Sequence, residues 1–177
     1  MSLVFDVPFA LPSSGVDPLS FRHAMACLPA PVAVITTLTA DRTPTGATLS
    51  AVSSLSLDPP LFLACFDHRS DTLRAIRAER RFLVHVIAGG QSDIAMRFAS
   101  KSPDKFGEIA WRSTPAGLPV IDDCRLVMQC RLFSTLPGGD HAIIVGEVQE
   151  IVETRDVPAM VYADRRMTVP VQETQAG

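Results

Sequence analysis

Three short runs hold the residues best suited to chemistry in this chain. The first is Thr45-Gly46-Ala47-Thr48-Leu49-Ser50-Ala51-Val52-Ser53-Ser54. Its small side chains leave room for a flat ligand against the backbone, and its hydroxyls and amides can donate to ring carbonyls or a phosphate. The same composition also suits a plain Ser/Thr-rich strand. The second run, Ser70-Asp71-Thr72, sits where a helix is predicted to begin. Free backbone N–H groups and the helix dipole favour an anion there, and hydroxyls can add donors. Simple N-capping, worth ~1 kcal/mol, is the plainer use of the same residues. The third run, Gly138-Gly139-Asp140-His141, places an imidazole at the start of a predicted strand, where it can act as donor or positive charge.

Other chemistries lack their signatures. The chain has no G-x-G-x-x-G, no G-x-x-x-x-G-K-[ST], no H-E-x-x-H and no G-x-S-x-G. Cys27, Cys65, Cys124 and Cys130 form no C-x-x-C pair and no zinc-like spacing with His23, His68, His85 or His141. Cys65 lies within the apolar run Leu61 to Phe66, as a buried reduced thiol would. Asp122-Asp123 is a carboxylate pair, but adjacent residues of a strand point to opposite faces. If the chain is an enzyme, these absences favour a bound organic cofactor that supplies the chemistry while the protein orients it.

The elements that must position these runs are mostly strands. At 177 residues, 47% hydrophobic and 20% charged, the chain is expected to form one globular domain. Sixteen Lys+Arg against nineteen Asp+Glu argues against a nucleic-acid partner. No apolar run approaches the ~18 residues of a membrane span, and no targeting segment is read, so a cytoplasmic home is expected. Residues 1–16 read as an arm, 17–170 as the domain and 171–177 as a tail. Asp17-Pro18 opens a short amphipathic helix to about Leu28. Strands are predicted at 32–40, 46–57, 61–66 and 82–87, with helices from Ser70 and over 92–99. Two long strands, 120–136 and 142–153, flank the turn Pro137-Gly138-Gly139-Asp140, and one or two short strands follow over 158–169. Strands predominate without regular alternation with helices, which favours a mainly β (α+β) barrel with a few short helices.

The ordered set of motifs resembles the flavin reductase domain family, the reductase components of two-component flavin-dependent monooxygenases. The matching residues are Thr45 to Ser54, Ser56-Leu57-Asp58-Pro59-Pro60, Ser70 and Thr72, Phe82 to Val86 with Gln91, Gly139-Asp140-His141 and Gly146-Glu147-Val148. The similarity runs from about Phe21 to Tyr162, with His85 standing where the family usually has Asn. The resemblance implies an FMN-binding split β-barrel, a homodimer, and hydride transfer from NADH or NADPH to FMN or FAD for release to a partner monooxygenase. A non-catalytic flavin carrier and a split-barrel FMN oxidase of a small molecule stay open beside it. It further implies flavin contacts from Ala47, Thr48, Leu49, Ser50 and Ala51, and from Cys65 and Phe66, for which core burial is the other reading. Ser70 and Thr72 would take the phosphate, Phe98 and Lys105 would touch ring and phosphate, and His141 would stand near the nicotinamide and flavin rings.

Overall fold

The computed structural model describes residues 15–170. The expected arm, apart from Gly15 and Val16, and the expected tail lie outside the described residues. Helix α1 (Pro18–Ala26) starts on the predicted cap: the Asp17 carboxylate accepts from the amides of Leu19 and Ser20 at 2.9 and 3.0 Å. Strands β1 (Ala30–Pro31), β2 (Ala33–Leu38), β3 (Pro44–Leu49), β4 (Val52–Ser56) and β5 (Leu61–Asp67) follow. Next come α2 (Asp71–Glu79), β6 (Arg81–Val86) and α3 (Ser92–Ala99), then β7 (Trp111–Ser113) and β8 (Pro119–Ile121). The chain continues through the long pair β9 (Leu126–Gly138) and β10 (His141–Thr154), then β11 (Val161–Ala163) and β12 (Arg166–Thr168).

Seven strands form one antiparallel sheet in the order β3-β2-β6-β9-β10-β5-β4. The segment predicted as one strand over 46–57 is therefore two, and they occupy opposite edges of that sheet. Only Ser50 and Ala51 link them. Two residues reach about 7 Å, so the sheet must roll until its two edges meet at that corner. No hydrogen-bonded ladder joins β3 to β4, so the roll stays split and is not closed into a barrel. This is the expected mainly β, split-barrel architecture with a few short helices.

Two apolar cores lie on the two faces of the rolled sheet, and strand alternation assigns residues to each. On β2, Ala33 and Ile35 face the inner core with Phe62, Phe66, Leu73, Ile76 and Phe82. Val34 faces the outer core with Leu83, Phe98, Leu118, Val120 and Ile121. Helix α2 closes the inner core, while α3 and the β7–β8 hairpin cover the outer one. Gly146 on β10 is required by packing, because a Cβ there would collide with the Phe82 ring.

Two sequence expectations are corrected here. The predicted strand over 120–136 breaks between β8 and β9, where Asp123 turns with a φ of 61°. Asp122 and Asp123 thus sit in a turn, not on opposite faces of a strand. They serve Arg112 and Arg155 respectively as ion-pair partners. Second, the helix expected to run to about Leu28 ends at Ala26, its amphipathic character is weak, and none of its nine residues is buried among the described residues.

Candidate functional site

The principal cavity, of about 800 Å³, lies beside the sheet edge formed by β3. Its walls come from the first half of β3, the end of β5 and the start of α2, and residues 99–103 and 105 at the end of α3 and beyond it. Alternation along β3 sets what each side chain does. Gly46 faces α3, and a Cβ there would stand 2.8 Å from the Phe98 ring and 3.0 Å from the Ile35 carbonyl oxygen. Only a glycine lets helix and strand approach this closely. Thr48, on the same side, donates to the Ala95 carbonyl at 2.6 Å and ties α3 to the strand. Thr45 points the other way, with its hydroxyl 3.5 Å from that of buried Thr72. Ala47 supplies a small surface on the cavity wall.

The α2 end of the cavity has the chemistry of an anion site. The Ser70 hydroxyl caps the helix by accepting from the Leu73 amide at 3.3 Å. The amides of Asp71 and Thr72 have no acceptor among the described residues, as expected of a first helical turn. Lys105 reaches in from the opposite wall and donates to the carbonyls of Gly46 at 3.1 Å and Phe98 at 2.9 Å. An ammonium has three donors, so one proton remains for a ligand. Burial holds the Lys105 ammonium below the usual lysine value, against the opposing pull of Asp71. Lys101 lines the same cavity, and neither lysine pairs with a carboxylate among the described residues. The acids nearby are already engaged: Asp71 pairs with Arg74 and Asp67 with Arg69. Hydrogen bonds from Arg69 hold the Asp67 carboxyl well below the usual carboxylate range.

His141 is not among the residues that line the cavity; it opens β10 directly opposite the wall residue Asp67 in the strand register. Its Nδ1 lies 2.7 Å from a carboxylate oxygen of Asp140, and the ring is half exposed. A cavity walled partly by small residues, a helix start with free amides and a partnered imidazole opposite wall residue Asp67 therefore share one end of the sheet.

Comparison with known proteins then decides the family. Residues 25–169 match the Flavin reductase like domain. The chain belongs to that family. It is 38% identical over 148 residues to the flavin-dependent monooxygenase reductase subunit HsaB of Mycobacterium tuberculosis, covering 84% of this chain and 77% of that protein. It is 36% identical over 171 residues to the flavin reductase (NADH) of Kitasatospora aureofaciens, covering 94% and 90%. Among solved structures, the NADH:FAD oxidoreductase SgcE6 of Streptomyces globisporus, in complex with NAD and FAD fragments, superposes with a TM-score of 0.82 at 28% identity. That match covers 92% of this chain and 98% of that one.

This flavin reductase domain distributes the sequence-derived residues unevenly. Ala47, Ser70, Thr72 and Lys105 line the principal cavity together. Thr48, Leu49 and Ser50 line a separate recess of about 150 Å³ with Val32, Tyr162 and Met167. Ala51 is exposed at the corner where the sheet edges meet, and its carbonyl accepts from the Cys65 amide at 2.9 Å. Cys65 and Phe66 face opposite sides of β5: Phe66 is buried in the inner core, and burial pushes the Cys65 thiol up. The Phe98 ring lies in the outer core, edge-on to Phe106 with centroids 5.0 Å apart. Its carbonyl, not its ring, bears on Lys105. Sequence reasoning missed Lys101 and Thr45 as wall residues. The legible signal was the Lys101–Lys105 spacing beside the Phe98-Ala99 motif, and Thr45 at the head of the small-residue run.

The third histidine of the chain has a structural position. His85 is fully buried; its Nδ1 lies 3.1 Å from the Val34 carbonyl oxygen, and its Nε2 accepts from the Ile121 amide at 3.1 Å. That pattern needs the neutral ring protonated on Nδ1. Burial lowers its pKa to about 4.

Proposed function

We propose that this protein is an NAD(P)H:flavin oxidoreductase that supplies reduced flavin to a separate flavin-dependent monooxygenase. The chemistry of the bound groups is transfer of a hydride from NADH or NADPH to FMN or FAD. The protein's part is binding and orientation. The amides of Asp71 and Thr72, the Ser70 hydroxyl, Lys101 and Lys105 hold the flavin phosphate. Gly46 and Ala47 leave the β3 edge flat enough for the rest of the flavin. The recess beside Thr48, Leu49 and Ser50 lies further along the same edge, with Ala51 and Cys65 behind it. His141, held by Asp140, presents a donor opposite Asp67 for the nicotinamide and flavin rings.

One observation carries the reading: two lysines with no carboxylate partner among the described residues line a cavity with the unsatisfied start of α2 and small residues of β3. The fit to a flavin phosphate is chemical, since helix amides and ammonium groups together favour a dianion. The test is NADH oxidation by the pure protein with and without added FMN or FAD. Turnover that requires and saturates with added flavin is expected; equal NADH consumption without flavin would overturn the reading. His141→Ala is expected to slow the saturated rate by roughly 10²-fold or less with flavin binding nearly unchanged.

The proposal includes a homodimer. Leu19, Phe21, Met25 and Leu28 are all exposed on or beside α1, as are Leu55 on edge strand β4 and Leu57 just beyond it. Apolar faces and unpaired strand edges of this kind are covered by association. Light scattering is expected to give twice the chain mass, and Phe21→Lys with Leu55→Lys to lower it toward one chain.

A further inference from the structure

We propose that this chain is built for FAD over FMN, with the adenosine half seated between α3 and residues 108–109. The inference rests on the phosphate site proposed above. A second cavity, of about 540 Å³, adjoins the principal one; Ser100 and Ser102 line both. Its volume lies within the ordinary range for small-ligand sites.

The two cavities differ in charge in the order that FAD would require. The principal one has Lys101, Lys105 and the start of α2, which suit a diphosphate. Beyond Ser100 and Ser102, the only basic residue on the wall among the described residues is Arg97, against Asp93 and Glu108. Arg97 is already paired with Glu108. That end therefore has no cation to spare for a phosphate and a formal charge of −1 from those three residues. It suits a neutral group rich in donors. An adenosine is such a group: its exocyclic amine and ribose hydroxyls donate, and carboxylates only accept. Met96, 60% exposed, and half-buried Ile109 provide the apolar surface for the base. FMN ends at its phosphate and would leave this whole end unused. A 2′-phosphate would meet Asp93 and Glu108 at close range, so the adenosine of NADPH is disfavoured here.

The test is an equilibrium titration followed by quenching of flavin fluorescence, with no nicotinamide present. Wild-type protein is expected to bind FAD more tightly than FMN by about tenfold or more. Met96→Asp is expected to cut FAD affinity by about tenfold while leaving FMN unchanged, which also shows that the variant is folded. Glu108→Gln should weaken FAD in the same selective way, by a smaller factor. Equal FAD and FMN affinities in the wild type would overturn the proposal, as would loss of both flavins in parallel. A variant that changes only the KM for NADH, measured with FMN as acceptor, would assign the cavity to the nicotinamide dinucleotide and overturn it too. Failure of both flavins to bind wild-type protein would instead remove the phosphate site beneath it.

Discussion

β3 and β4 come from one uninterrupted run of small and hydroxylated residues, yet they end in opposite circumstances. β3 is clamped on both sides: Gly46 lies under Phe98, Thr48 bonds to α3, and Lys105 grips the Gly46 carbonyl. β4 is a bare edge, with Ser53, Ser54 and Leu55 exposed. Composition does not separate them. What separates them is which helix lands on which edge, and only the β3 edge receives two. A serine-rich strand becomes a binding wall when neighbouring elements fix its backbone and bring charge to it; without them it stays an open edge of the chain, which the proposed homodimer would cover.

The most forceful way to break this contrast is to put the same bulk on both edges. Gly46→Val should cost about 1–3 kcal/mol through forced repacking against Phe98 and abolish measurable flavin binding. Ser54→Val should stay within about 0.5 kcal/mol. Urea unfolding and flavin fluorescence check both, and equal effects at the two positions would dissolve the distinction.

Acid offers a second, somewhat smaller lever on the clamped side. His85 ties β2, the strand next to β3, to β8 only while its ring is neutral. Its folded pKa of about 4 lies below the unfolded 6.5, so the unfolded chain takes up the proton first. Stability is full above about pH 6.5, falls as pH drops toward about 4, and then levels off. At pH 5 the loss relative to pH 7 should be about 2 kcal/mol. Urea unfolding at the two pH values measures it, and His85→Asn should flatten the difference; an equally steep loss in that variant would clear His85 of the effect.

The finest test asks whether the clamped edge works through charge. Ser70→Ala with Thr72→Ala should weaken FMN by about tenfold, with riboflavin, which lacks the phosphate, unchanged. Equal weakening of both ligands would reduce these residues to helix caps.

Legibility followed local physics. The caps of α1 and α2 were readable because Asp17-Pro18 and Ser70 act through their own neighbours in sequence. The β9–β10 hairpin was readable because its Gly-rich turn imposes the reversal. The break at Ser50-Ala51 was not, because no glycine or proline interrupts the run and the edge it crosses to is set by contacts far away in the chain. The Asp122-Asp123 turn was hidden for a related reason: the flanking apolar residues read through it as one strand. Among the candidate site residues, Ser70, Thr72 and Lys105, named by motif, line one cavity, whereas the Phe98 ring, which the resemblance assigned to a ligand, packs in the outer core. Lys101 was overlooked because a lone surface lysine is commonplace until a cavity gives it a neighbour.

The two-residue junction between β3 and β4 has a mechanical consequence. Where most rolled sheets hold their girth by hydrogen bonds that can unzip in water, this one is cinched at its corner by peptide bonds. Thermal breathing can fray the outer strands along their length, but it cannot widen the hoop at that point without breaking the polypeptide itself.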